Sequence, residues 1–225
     1  MILSLFLYIR AFIFFIVISP IMIISSLLFP NSIYPFGRFI SKGVFKCFNI
    51  SFDIKGKFPT KGPYILMHNH TSFLDLFLLP TIIDGKFTGV VAAKNFKIPI
   101  IGMVLRRINA IPIYRSDRQK AIKSIQKAES LIKKGFHIAI FPEGTRSIDG
   151  KLGQFKKGGF HMAVNTATPI LPIVVHGLFE IKPKTRWTLH PGKVTMAIHK
   201  PIISKNKTVN TLLNETLDIF KQSNL

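Results

Sequence analysis

A chain of 225 residues, 48% of them hydrophobic, can build one α/β domain of roughly 150–200 residues with a full core, plus a short appendage. Its 31 Lys and Arg against 10 Asp and Glu give a formal net charge of +21, which favours polyanionic surroundings: anionic lipid headgroups, nucleic acid or an acidic protein. The single cysteine, Cys47, excludes an intrachain disulfide and any multi-cysteine metal site, and its surroundings read as an ordinary buried thiol.

Charge is sparse at the beginning of the chain, where Arg10 is the only charged side chain before Arg38. Residues 11–29 are uncharged and apolar apart from three serines, and as a helix rising about 1.5 Å per residue they nearly match a hydrocarbon core of about 30 Å. A cleavable signal would carry a shorter apolar run of about 7–15 residues and a small-residue cleavage site, whereas Pro30-Asn31-Ser32 follows here. The expected organisation is a retained membrane anchor over residues 1–37 and a folded domain over 38–225. Pro20 and a second apolar block at residues 2–9 also permit a kinked or re-entrant helix pair within one leaflet. If the segment spans, the basic remainder stays cytoplasmic.

From residue 50, short β-branched runs alternate with amphipathic stretches. This predicts strands at Ile50–Ile54, Tyr64–Met67, Phe87–Ala92, Ala110–Tyr114, His137–Phe141, Ile170–Val175 and Val194–Ile198. Ile122, Ile125, Ala128 and Ile132 fall at helical spacing ahead of Gly135, a C′ residue. Val209, Leu212, Leu213, Leu217 and Phe220 share one face of a C-terminal helix. The fold class expected is α/β: a single mixed-sheet domain flanked by helices, with an N-terminal hydrophobic membrane helix or helix pair.

Two segments with chemical potential each follow a strand, the position where ligands bind open α/β sheets. The first is His68-Asn69-His70-Thr71-Ser72-Phe73-Leu74-Asp75. A bend there would let Asp75 hold the His70 imidazole in one tautomer, so that its free nitrogen acts as a general base. Two plainer readings compete. Ser72-Phe73-Leu74-Asp75 fits a helix capping box, and His68-x-His70 suggests a metal site, although Phe73 stands where di-zinc hydrolases would continue with a ligand. The second segment is Phe141-Pro142-Glu143-Gly144-Thr145-Arg146-Ser147, a Gly-Thr turn with exposed amides beside an arginine fork suited to phosphate. By itself it also fits a solvated loop. Ile111–Arg115 is a strand ending in arginine; Lys94 follows a strand, and Lys156 and Lys157 add charge near these junctions.

In order, Asn69 to Asp75, Ile111 to Arg115, Phe141 to Ser147 and the apolar, Pro-containing Ile170 to Val175 resemble four blocks of the 1-acylglycerol-3-phosphate acyltransferase family, over roughly residues 50–200. The segment Ala93–Gly102 resembles a further family stretch but lacks its acidic residue. The resemblance implies that His70 deprotonates a lysophospholipid hydroxyl and Asp75 orients it. It implies that Arg146, Gly144 and Thr145 bind the acceptor phosphate with help from Arg115 and Lys94, and that Glu143 braces the loop or contacts glycerol. It implies no metal or other cofactor, and a cosubstrate that is acyl-CoA or acyl-acyl carrier protein. The implied partners are the lysophospholipid acceptor, that donor and an anionic membrane rather than nucleic acid, at the cell (inner) membrane with the catalytic domain cytoplasmic. The implied reaction is acylation of 1-acylglycerol-3-phosphate to phosphatidate. Glycerol-3-phosphate or another lysolipid as acceptor, and a non-catalytic protein binding anionic membranes, are the alternatives.

Overall fold

The computed structural model describes residues 1–83, 85–114 and 117–223, with the side chain of Arg118 outside the description. A mixed sheet carries seven strands: β1 (Ile50–Lys55), β2 (Ile65–His68), β3 (Phe87–Ala92), β4 (Ile111–Ile113), β5 (His137–Ile140), β6 (Ile170–His176) and β7 (Gly192–Ile198). Their spatial order is β1-β7-β6-β2-β5-β3-β4. The strands from β6 to β4 run parallel, and β7 turns back antiparallel to β6, with β1 alongside it. All seven expected strands form, each within two residues of its predicted limits. β2 and β6 are buried almost throughout, as continuously apolar central parallel strands require.

One layer, formed by α1 (Ile2–Leu28), α2 (Ile33–Cys47) and α3 (Asp75–Ile82), shares a core with Leu66, Leu171 and Ile173 of the sheet. On the other face, α5 (Arg118–Lys133), α6 (Gly158–Thr166) and α8 (Val209–Gln222) enclose Ile65, Met67, Ile138 and Ile170. The described residues also include α4 (Pro99–Arg107) and the short α7 (Leu178–Ile181). The helix read from Ile122 to Ile132 is α5. Asp117 caps it by accepting the Lys120 N–H at 3.0 Å, and Gly135 follows it at φ +82°.

The beginning of the chain departs from expectation in its divisions. Residues 2–9 and 11–29 are not separate blocks: α1 is one helix running through Pro20, and its hairpin partner is α2. Arg10 does not break it, because its guanidinium donates to the Lys46 carbonyl at 2.8 Å, to the Cys47 carbonyl and to Asn49 Oδ1 at 2.8 Å. A cation is favourable at the C-terminus of α2. The boundary expected at residue 37 falls inside α2. Cys47 is a free, half-buried thiol.

α1 lies along the domain instead of projecting from it. Ser4, Leu7, Ala11, Met22 and Ser26 form a buried stripe at helical spacing. Near its start, Ser4 Oγ donates to the Leu189 carbonyl at 3.0 Å and Tyr8 to the Trp187 carbonyl at 2.7 Å. Near its end, Arg107 donates to the Ser26 carbonyl. Its outer face leaves Leu5, Phe6, Ile9, Phe12, Ile13, Ile16, Val17, Ile21 and Ile24 exposed. By length and composition this helix can cross a membrane.

Candidate active site

The site forms where β2 and β5 end side by side. After β2, Asn69 continues the pairing with β6 through its side chain: Nδ2 donates to the Val175 carbonyl at 2.8 Å, and Oδ1 accepts the Val175 N–H at 2.9 Å. The following turn brings His70 Nδ1 to 2.7 Å from Asp75 Oδ2. The same oxygen accepts the backbone N–H groups of Thr71 and Ser72 at 2.8 and 2.9 Å. Asp75 therefore fulfils half of the capping box as well as the dyad. The reciprocal half is missing, because Ser72 Oγ accepts the Leu74 N–H and donates to the Lys182 carbonyl, and α3 begins only at Asp75.

The carboxylate side chain is fully buried while the imidazole keeps 16% exposure. With Nδ1 engaged, Nε2 is the nitrogen left for a substrate. Phe141 stacks on the imidazole at 3.6 Å between centroids and 13° between planes, and it also meets the His68 ring edge-to-face at 4.5 Å. His68 is 1% exposed and its Nδ1 has no hydrogen-bond partner. Burial, opposed by the Asp75 charge and reinforced by His70, holds it down to about 4 from 6.5. Among the described residues, no three His, Cys, Asp or Glu side chains gather as a metal site.

The second segment clamps the first. Glu143, 4% exposed, accepts the His70 N–H on Oε1 at 2.9 Å and the Gly153 N–H on Oε2 at 2.8 Å. Both oxygens are occupied by main chain, so it braces the loops. Burial pushes its carboxyl above the usual range, against the two amide donors. The Ser147 N–H donates to the His70 carbonyl at 2.8 Å. Gly144 sits at φ +73° in the turn closed by its N–H to the Phe141 carbonyl, a conformation that favours glycine. Thr145 is exposed and Arg146 half-buried in the same loop.

Lys94 lies on the strand-end edge, exposed, in a 3-10 turn over Ala93–Lys97. Arg115 lies outside the described residues. A cation absent from the expected set is Lys182, whose ammonium stands 5.8 Å over the Phe73 ring. Partial burial and the neighbouring charges of Arg146 and Arg186 hold it below its ordinary value. The alternating Lys182, Lys184 and Arg186 were the sequence signal for it. Phe141 carried none beyond its place in the segment, since stacking is visible only in three dimensions. On the α1 side, Phe73 also borders an apolar groove with Tyr8, Ala11, Phe12, Phe15 and Phe48.

A sequence-family model described as Acyltransferase matches residues 49–176. The chloroplastic 1-acyl-sn-glycerol-3-phosphate acyltransferase LPAT1 of Arabidopsis thaliana is 37% identical over 163 residues, 72% of this chain and 45% of the relative. The 1-acyl-sn-glycerol-3-phosphate acyltransferase of Pseudomonas aeruginosa is 32% identical over 152 residues, 66% of this chain and 58% of the relative. The chain spans about half the length of the curated relatives it matches. The crystal structure of the 1-acyl-sn-glycerophosphate acyltransferase PlsC from Thermotoga maritima superposes with a TM-score of 0.85 at 26% identity, covering 99% of this chain and 94% of that one. On the family match across more than half its length, this chain belongs to the acyltransferase family.

Proposed function

We propose that the protein is a membrane-bound O-acyltransferase that moves a fatty acyl group from acyl-CoA or acyl-acyl carrier protein to the sn-2 hydroxyl of 1-acyl-sn-glycerol-3-phosphate, giving phosphatidate. The observation that carries this reading is the 2.7 Å contact of His70 Nδ1 with a buried Asp75, which leaves Nε2 as the base. In the reaction, Nε2 takes the hydroxyl proton as the oxygen attacks the thioester carbonyl, and Asp75 stabilises the imidazolium. The tetrahedral intermediate collapses with loss of the thiolate, which recovers the proton as free thiol, so an ester forms as the thioester breaks. No cofactor enters this balance. The activity of its relatives suggests the acceptor.

Arg146, with Gly144 and Thr145 in its loop, is the proposed seat of the acceptor phosphate, with Lys94, Arg115 and Lys182 adding charge. A fixed guanidinium fork is suited to that anion. The apolar groove beside Phe73 accommodates acyl chain next to the base. For the anchor, attachment of both ends of α1 to one domain favours a helix lying in one leaflet over one that crosses. The exposed apolar face of α1 favours an anionic membrane rather than nucleic acid as the polyanion that meets the net charge of +21, and the anionic cytoplasmic leaflet of the cell's inner membrane as the location.

The test is an acceptor panel with one labelled acyl donor and purified protein in detergent. Transfer to 1-acylglycerol-3-phosphate is expected to exceed transfer to glycerol-3-phosphate, lysophosphatidylcholine and lyso-ornithine lipid. Preference for one of these would reassign the acceptor, and transfer to none would remove the enzymatic reading.

A further inference from the structure

Four large apolar side chains are exposed within six residues at α4: Ile98 at 44%, Ile100 at 63%, Ile101 at 48% and Met103 at 39%. Only Gly102 of this helix is buried. Val104 packs into the core that α1 shares, and Arg107 donates to the Ser26 carbonyl in the last turn of α1. The apolar surface of Leu27, Leu28 and Phe29 at the end of α1, all more than 60% exposed, therefore continues toward α4. Exposed Lys97 and Arg106 bracket the patch.

The geometry points to α4 as a second lipid-contacting element, its isoleucines entering the interface of an anionic bilayer. The inference rests on the reading that the outer face of α1 lies in the membrane. A bare apolar patch needs a cover, and two features select lipid over a second protein copy. The patch adjoins the end of α1 through the Arg107–Ser26 contact, and its flanking cations suit headgroup phosphates while the isoleucines reach the acyl region. α1 is tied to the loop before β7 through Leu189, whereas α4 follows β3. In the sheet order these strands lie on opposite sides of β2. Bilayer contact on both sides of the strand leading to His70 would hold the site edge against the membrane.

The chain has one tryptophan, so Trp187→Phe gives a silent background for Ile101→Trp, Phe12→Trp on α1 and Ile122→Trp on α5 across the sheet. The full-length variants are reconstituted in phosphatidylglycerol vesicles whose acyl chains carry bromine. Loss of emission is expected for the first two and not for the third, with weaker quenching of the Ile101→Trp probe in phosphatidylcholine. Quenching at position 12 but not at 101 overturns the inference and leaves the α1 reading intact; quenching at neither overturns both. Equal quenching of the 101 probe in both lipids removes the anionic preference. A 101 probe shielded from lipid but crosslinking to a second copy makes the patch a dimer face and overturns the inference.

Discussion

Glu143 and His70, 73 positions apart, are joined through main chain: the carboxylate accepts the His70 N–H at 2.9 Å. Together with the Ser147 N–H on the His70 carbonyl, this fixes the backbone beneath the imidazole from both sides. Glu143→Gln replaces one acceptor oxygen with a donor, which must then face either the His70 or the Gly153 N–H. Because sub-ångström misplacement of a base is costly, kcat is expected to fall about 10–100-fold with KM little changed. Gly153→Ala reaches the same brace from the other side, since its Cβ would lie 2.8 Å from Glu143 Oε2. Steady-state kinetics of the two variants check this, and unchanged kcat in both would remove the brace.

The dyad predicts a larger loss. His70→Ala removes the base, and Asp75→Asn removes the charge that supports an imidazolium while disturbing three donors on one oxygen. Acyl transfer in detergent is expected to drop about 10²–10⁴-fold in each. A His70→Ala enzyme of near-normal rate would refute the general-base assignment, and inactivation by EDTA would restore the metal reading of His68 and His70.

Phe141 holds the imidazole plane by stacking at 3.6 Å. Phe141→Leu keeps the apolar surface but loses the ring face, which is attractive to a cationic imidazolium. A decrease in kcat of about tenfold is expected, with Phe141→Tyr close to the parent. Equal rates for Leu and Tyr would show that only filling of space matters there.

Arg146→Gln separates phosphate recognition from chemistry. Losing a charge-assisted contact of this kind costs about 1.5–3 kcal/mol, so KM for 1-acylglycerol-3-phosphate is expected to rise about 10–100-fold. Monoacylglycerol, lacking phosphate, should be unaffected. Lys182→Gln should act in the same direction and more weakly. An unchanged KM in the Arg146 variant would reject the lysophosphatidate assignment.

His68 is expected to make the fold acid-sensitive. Its folded value near 4 lies below the ordinary 6.5, so the unfolded chain binds the extra proton between these values. Its contribution is complete above about pH 6.5 and is lost as pH falls toward 4, on the order of 3 kcal/mol in all. Denaturant unfolding at pH 7 and pH 4.5 should show this slope, flattened in His68→Leu. An identical slope in the variant would mean that other groups carry the acid sensitivity.

The chain order of these residues already carried much of the site. Strand periodicity located β2 and β5, and the two segments at their ends were readable because ligands gather at strand termini. Ser72-Phe73-Leu74-Asp75 was ambiguous for a physical reason: a carboxylate three residues after a serine suits a cap or a dyad equally, and the structure has one oxygen doing both. What Glu143 touches was equally hidden, since a buried acid bonding distant amides leaves no local pattern.

By itself the amino-acid sequence determined the seven strands, the helices α5 and α8, the apolar beginning, and which histidine and aspartate are five residues apart, because each depends on neighbours along the chain. Only the tertiary structure decided that α1 runs unbroken and lies along the domain, that Phe141 and Glu143 support His70, and that Lys182 stands near Arg146. These depend on which strands become neighbours in the sheet, a matter of packing between segments far apart in the chain, to which periodicity is blind.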